Sequence, residues 1–133
     1  MDSKTIQKYS KYSVAELRKK AQKVFNAWIR KRDDGLPCIS CGSGQPEHAG
    51  HYFSAGHNSK LRFDERNCAG QCVRCNYFLH GNQIGYRKGL IKRIGIEAVE
   101  QLESEASVKG AYKWDRFSLI AIIEKYNYSK TFF

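Results

Sequence analysis

No stretch of the chain approaches the roughly 18 consecutive apolar residues that a membrane-spanning helix needs. The opening segment, MDSKTIQKYSKYS, has no apolar run of the kind that marks a secretory signal. Both absences set the expectation of a cytosolic protein. Internal repeats and low-complexity tracts are also missing, which excludes solenoids and biased linkers. Acids are scarce, with 13 Asp and Glu against 23 Lys and Arg, for a net charge of +10. An acidic, solvating chain is thereby excluded, and a polyanionic partner, usually nucleic acid, is favoured. Hydrophobic residues still make up 41% of the sequence, enough to argue against wholesale disorder. A chain of 133 residues fits one domain, or one small core with helical additions.

The charge is unevenly placed. Residues 1–32 hold ten Lys and Arg against Asp2 and Glu16, whereas residues 95–107 hold Glu97, Glu100, Glu103 and Glu105 and no base. Such a layout suggests one surface that faces nucleic acid and one that faces away. Residues 1–12 are polar and read as loosely ordered. A helix opens at Ser13, where Ser13 and Glu16 form a capping box. Val14, Leu17, Ala21, Val24, Phe25, Trp28 and Ile29 recur along it at helical spacing. Its other face carries Arg18, Lys19, Lys20, Lys23 and Arg30, read either as a solvated face or as phosphate contacts. The helix should end near Asp33-Asp34-Gly35.

Residues 35–80 are rich in Cys, His, Gly and Asn, and lack helical periodicity. His51-Tyr52-Phe53 reads as a short strand, 54–71 as a loop, and a short helix is expected from about Cys72 to Asn76. Two helices, 83–94 and 96–107, are broken at Gly95. Ile84, Leu90, Ile91 and Ile94 supply the apolar positions of the first, and Ile96, Val99 and Leu102 those of the second. A last helix starts after the N-cap candidate Asp115 and buries Leu119, Ile120, Ile122 and Ile123, with Tyr126 as a further candidate. The organisation that follows is a basic helical extension (1–34), a core (35–82) and a C-terminal helical region (83–133).

Five cysteines lie at 38, 41, 68, 72 and 75. In a cytosolic chain their spacing argues for metal rather than disulfides. Cys38-x-x-Cys41 and Cys72-x-x-Cys75 are two equally spaced pairs, and four thiolates complete a tetrahedral zinc shell with no open position. Such a zinc is structural and staples a small region that has little core of its own. Cys68 could stand in for Cys72, but the second knuckle then loses its match to the first. It is read as a small, partly buried side chain.

Between the knuckles lie His48-Ala49-Gly50-His51-Tyr52 and Leu61-Arg62-Phe63-Asp64-Glu65-Arg66-Asn67, and Asn76 follows the last zinc cysteine directly. His, Asn and Asn threaded in this order through a four-cysteine site resemble the HNH, or ββα-metal, nuclease pattern. Over about residues 36–106, the run CISCG…HAGHYFSAG…LRFDERN…QCVRCN…GN…YR looks like the phage NinG/Rap family of recombination endonucleases. The asparagine next to a zinc cysteine is also similar to phage endonuclease VII. The resemblance implies an α+β, mostly helical fold, in which a zinc-stapled ββα-metal core is flanked by N- and C-terminal helices.

It also implies an activity: metal-dependent nicking of branched DNA, such as Holliday junctions and D-loops, in a host bacterial cytoplasm if the gene is a phage's. His51 would be the general base, since a neutral imidazole can take a proton from water at pH 7. Asn67 would brace the loop and orient His51. Asn76 would ligate a catalytic Mg²⁺ or Mn²⁺. Many HNH proteins carry Asp just before the base histidine, where this chain has Gly50. His48 is the substitute ligand, with Glu47 and His80 as alternatives. Arg62, Arg66 and Arg74, extended by Arg87 and Lys88, would clamp phosphates, although Asp64 or Glu65 could instead pair with Arg62 and Arg66. His57 reads as a solvent or substrate contact. A twofold homodimer would suit a symmetric junction. Two other functions fit parts of the pattern: a generic HNH nuclease of duplex DNA, and a non-enzymatic zinc-ribbon module that only binds nucleic acid.

Overall fold

The structure, a computed structural model, describes residues 1–110 and 112–127. The far end of the C-terminal region drawn on the sequence, residues 128–133, lies outside the described residues. Five α-helices and a two-stranded sheet are described: α1 (Ser3–Lys8), α2 (Val14–Arg32), β1 (His48–His51), β2 (Cys68–Gln71), α3 (Gln83–Ile94), α4 (Ile96–Ser107) and α5 (Arg116–Tyr126). A single π-helical turn, Arg74–Phe78, lies between β2 and α3. No described helix is long and apolar enough to cross a membrane. The chain divides into two units, residues 29–112 and residues 1–28 with 113–133. These boundaries differ from the 34/35 and 82/83 divisions drawn on the sequence. α3 and α4 fall in the same unit as the cysteine pairs, and α5 falls with the N-terminal helices.

In the helical unit, α1 forms where loose structure was expected, because the Asp2 carboxylate caps it by accepting from Thr5 N–H at 2.7 Å. The capping box before α2 is reciprocal. Glu16 N–H donates to Ser13 Oγ at 3.1 Å, and Ser13 N–H donates to Glu16 Oε1 at 3.0 Å. Leu17, Ala21 and Phe25 are buried, as are Leu119, Ile120, Ile123 and Tyr126 of α5, whereas Val14 is exposed. The Phe25 and Tyr126 rings meet edge to face at 4.8 Å. Asp115 caps α5, accepting from Ser118 N–H at 2.8 Å.

In the other unit, β1 and β2 pair antiparallel, with His48 opposite Gln71 and His51 opposite Cys68. β1 therefore starts three residues before the strand expected at His51, and β2 occupies part of the expected loop. The core gathers Ile39, Tyr52, Leu61, Ala69, Tyr86, Leu90, Val99 and Leu102. Tyr52 and Tyr86 stack at 5.3 Å, and the buried Tyr86 hydroxyl donates to the Gly50 carbonyl at 2.7 Å. Ile84 and Ile96, expected in the core, are exposed. The side of α3 that packs inward is set instead by Tyr86 and Leu90, one turn apart, and by Gly85 and Gly89. A Cβ on Gly89 would lie 1.8 Å from the Ile39 carbonyl oxygen, and one on Gly85 would lie 2.2 Å from that of Ser40. Only glycine lets α3 lie against the first cysteine knuckle at this distance.

Asp33, just past α2, fixes the frame and is 2% exposed. Its carboxylate accepts from Arg32 Nε (2.8 Å) and Nη2 (3.0 Å), Gly70 N–H (2.7 Å) and Arg93 Nη1 (2.8 Å). Burial alone would raise its pKa. The Arg32 guanidinium, the Gly70 N–H and Arg93 outweigh that and hold it below the usual carboxylate value.

Candidate metal centre and adjoining cleft

The first knuckle hangs from the turn after Asp33, and the second runs from the end of β2 into the π-helical turn. Together they bring Cys38, Cys41, Cys72 and Cys75 to one place, with all four Sγ atoms within 4.8 Å of one another. Cys41 and Cys72 Sγ are 3.8 Å apart. A tetrahedral zinc with Zn–S bonds of about 2.3 Å needs sulfurs about 3.8 Å apart, so the donor set fits such an ion. Hydrogen bonding at Ser43 draws the Cys41 thiol down to about 6, while burial pushes Cys75 up to about 12. A bound cation would have to displace the proton at Cys75. Four thiolates leave no coordination position for a substrate, so this centre is suited to holding structure. Cys68 stands apart from the cluster. It is fully buried rather than partly so, and burial pushes its thiol up to about 12.

Beside this centre lies an open cleft of about 350 Å³ whose lining includes His51, Asn76, His80 and Gly81. His51 sits at the end of β1, and Asn76 in the π-helical turn. His51 Nε2 is 3.0 Å from the Arg62 carbonyl oxygen. A carbonyl only accepts, so Nε2 carries the proton and Nδ1 is the ring's acceptor, with the buried Cys68 Sγ 3.9 Å from it. Burial lowers the His51 pKa, against the opposing pull of that hydrogen bond, so the ring is neutral at pH 7.

Asn67 is fully buried and acts as a clamp. Its Nδ2 donates to the Phe53 (2.9 Å) and Leu61 (3.1 Å) carbonyls, and its Oδ1 accepts from Phe53 N–H at 2.9 Å. It therefore ties the strand end to the loop that presents the Arg62 carbonyl to His51. Asn76 Nδ2 lies 2.9 Å from His48 Nδ1. With the amide donating through Nδ2, Oδ1 is the acceptor atom of the Asn76 side chain. His48 touches Asn76 without lining the cleft, whereas the alternative ligand His80 does line it, in a left-handed turn at φ 51°.

The cationic residues fall into two sets. Arg66 is gripped by Asp64 (2.6 Å) and Glu105 (2.7 Å), and Arg87 by Glu103 (2.8 Å). Both guanidiniums are committed to carboxylates, and a phosphate would have to compete for them. Glu65 is not the partner of Arg66; Glu105, on α4, is, and sequence spacing gives no sign of it. Arg62 donates to the Ala55 carbonyl at 3.4 Å. Arg74 and Lys88 are exposed. His57 Nδ1 pairs with Ser54 Oγ at 2.9 Å within its own loop.

Sequence reasoning missed Gln71. It is fully buried, with Nε2 donating to Ser40 Oγ (2.8 Å) and to the Gly81 carbonyl (2.6 Å), so it holds a wall of the cleft. Its side chain also accounts for Gly50. A Cβ at Gly50 would lie 1.9 Å from Gln71 Oε1, so the space that an Asp side chain would need there is already filled. No periodicity marks a glutamine for this role; the tertiary pairing alone reveals it.

Comparison with known proteins matches the sequence to a phage lineage. The family model described as "Bacteriophage Lambda NinG protein" matches residues 2–131. The chain is 46% identical over 110 residues to Protein ninG of Escherichia phage 933W, covering 81% of this chain and 53% of that protein. It is 52% identical over 89 residues to Protein ninG of Salmonella phage P22, covering 65% and 44%. Against Protein ninG of Escherichia phage lambda it is 51% identical over 88 residues, covering 65% and 43%. The chain thus spans about half the length of the curated relatives it matches. No solved structure matches it. With a match that runs almost from end to end, the chain belongs to the NinG family of bacteriophage proteins.

Proposed function

We propose that the chain is an HNH-type, metal-dependent endodeoxyribonuclease that nicks branched DNA by phosphodiester hydrolysis, built on a zinc-stapled core. The observation that carries this reading is the meeting of His51 and Asn76 at one cleft, with the His51 ring kept neutral by burial and oriented by a carbonyl on the loop that Asn67 clamps. A zinc-ribbon module that only bound nucleic acid would have no need of that arrangement.

In this reading His51 Nδ1 accepts a proton from water as the water oxygen bonds to phosphorus and the P–O3′ bond breaks. The departing O3′ takes a proton from solvent, leaving a 3′-hydroxyl and a 5′-phosphate. A Mg²⁺ or Mn²⁺ ion, when bound, would supply Lewis acidity at the phosphate and stabilise the leaving oxygen. Asn76 Oδ1 is the oxygen donor that suits such an ion, with His48 or His80 as its neighbouring ligand. The exposed Arg74 and Lys88 would meet the backbone phosphates, and Arg62, which donates to the Ala55 carbonyl, would have to exchange a contact to join them. Two nicks across a symmetric junction call for two copies, which a homodimer would provide.

Branch preference has a direct test. Nicking of a labelled four-way junction is compared with nicking of a linear duplex of matched sequence, each with and without added Mg²⁺. The reading expects Mg²⁺-dependent cutting that is at least tenfold faster on the junction. Equal rates would leave a generic HNH nuclease of duplex DNA, and no cutting of either would leave the binding module.

A further inference from the structure

The helical unit carries a cavity that plays no part in the cleft chemistry. It measures about 640 Å³, within the roughly 300–1,000 Å³ range of sites that enclose a small ligand. Four lysines stand around it: Lys8, Lys11, Lys20 and Lys23. The ring of Tyr12 is half-buried and anchors two of them, with Lys20 Nζ 4.4 Å and Lys11 Nζ 5.3 Å from its centroid. The negative face of an aromatic ring holds ammonium groups in this way without neutralising them. Lys8 has a carboxylate at 3.6 Å, that of Glu124, which also accepts from the Tyr9 hydroxyl. Lys11, Lys20 and Lys23 form no ion pair among the described residues. Glu16, one turn before Lys20, feels its charge but is bonded to Ser13. Gathering like charges around one recess is unfavourable unless an anion enters it. The rest of the lining joins the rings of Tyr9 and Tyr12 and the amide of Asn127 to an apolar patch of Val24, Ala27 and Ile123.

Charge and shape together select the occupant. A lysine rim above an apolar floor matches a single nucleotide, whose phosphate is anionic and whose base has a flat apolar face. A double helix keeps its bases stacked inside and can touch only the rim. A flat anionic lipid surface likewise has nothing to place on a recessed floor. We propose that this cavity is a second nucleic-acid site, which takes one unpaired nucleotide with its phosphate among Lys11, Lys20 and Lys23 and its base on Val24, Ala27 and Ile123. The inference rests on the reading that the ligand is DNA, but not on hydrolysis at the His51 cleft. It gives a NinG protein a means of recognising the unpaired strand that a branch exposes.

The test is fluorescence anisotropy on the full chain with a labelled oligo-dT, an abasic oligomer of the same length, and a blunt duplex. No divalent ion is added, so cleavage does not intervene. Wild type should bind oligo-dT at least fivefold more tightly than the abasic strand. The triple variant Lys11→Gln/Lys20→Gln/Lys23→Gln should lose tenfold or more of its oligo-dT affinity, with its thermal midpoint unchanged. Its salt dependence should flatten by about 0.7 in log–log slope, the contribution of one single-strand phosphate contact. Duplex affinity should fall less. Wild-type binding of oligo-dT that the triple variant retains would overturn this site and leave the cleft reading standing. Equal affinity for dT and abasic strands would overturn the base-seating part. A wild type that bound no DNA, or that bound only vesicles containing phosphatidylserine, would overturn this site and the proposed function together.

Discussion

Asp33 and Gln71 are two short polar side chains that bury almost completely and hold the elements around the cleft in place. Asp33 takes four hydrogen bonds from two arginines and a strand amide. Removing the carboxylate leaves two guanidiniums and a buried N–H without their acceptor, so Asp33→Ala should cost about 3 kcal/mol in a denaturant titration. Its pKa is depressed in the folded chain, so its stabilisation is fully present above the unfolded value of about 3.9. It is lost as pH falls through the lower folded value. The stability difference between wild type and Asp33→Asn should therefore be constant from pH 5 to 7 and shrink below about pH 4. A difference that grew on acidification would reverse the assignment. At Gly50, restoring the aspartate common in HNH proteins should not help. Gly50→Asp should destabilise by about 2 kcal/mol, because its Cβ collides with Gln71, and Gln71→Ala in the same chain should recover most of the loss. Neither role was legible in the sequence, where Asp33 reads as an ordinary helix end and Gln71 as a loop residue. Their meaning comes from partners tens of residues away. The cysteine pairs were legible because their spacing carries the ligand geometry within each pair.

Local signals set most element boundaries, and packing set the faces. The break between α3 and α4 at Gly95, the Asp115 cap of α5 and the Ser13–Glu16 box all follow from residues a few positions apart. β2 did not announce itself, since Cys-Ala-Gly-Gln has no β-branched or aromatic residue. It is a strand because it pairs with β1 and because Gly70 N–H is held by Asp33. α3 shows the same limit. Periodicity placed Ile84 inside, yet the helix turns its glycines to the first knuckle and leaves Ile84 76% exposed. Gly89→Ala, a favourable change in an ordinary exposed helix, should here destabilise by about 2 kcal/mol or more, because the added methyl meets a backbone oxygen. Thermal unfolding of Gly89→Ala beside Ile84→Ala separates the two: the first should lower the midpoint by several degrees, the second hardly at all.

For the molecule as a whole, the four-cysteine centre and the cleft beside it depend on one another, because Asn76 follows Cys75 directly on the turn that carries both. Stripping the metal, or replacing Cys41 by Ser, should lower the thermal midpoint by about 10 °C or more and abolish any activity. A midpoint unmoved by chelation would remove the structural ion from the account. The His51 ring is neutral because it is buried, which makes a statement about pH. A general base must be unprotonated, so the acid limb of a nicking-rate profile should lie below pH 6.5, the ordinary midpoint of an imidazole. The most direct measurement is Mg²⁺-dependent nicking of four-way junction DNA by wild type and His51→Ala, with junction binding recorded for both. The account predicts that the variant binds with near wild-type affinity and nicks at least a hundredfold more slowly. Nicking by His51→Ala at the wild-type rate would contradict it.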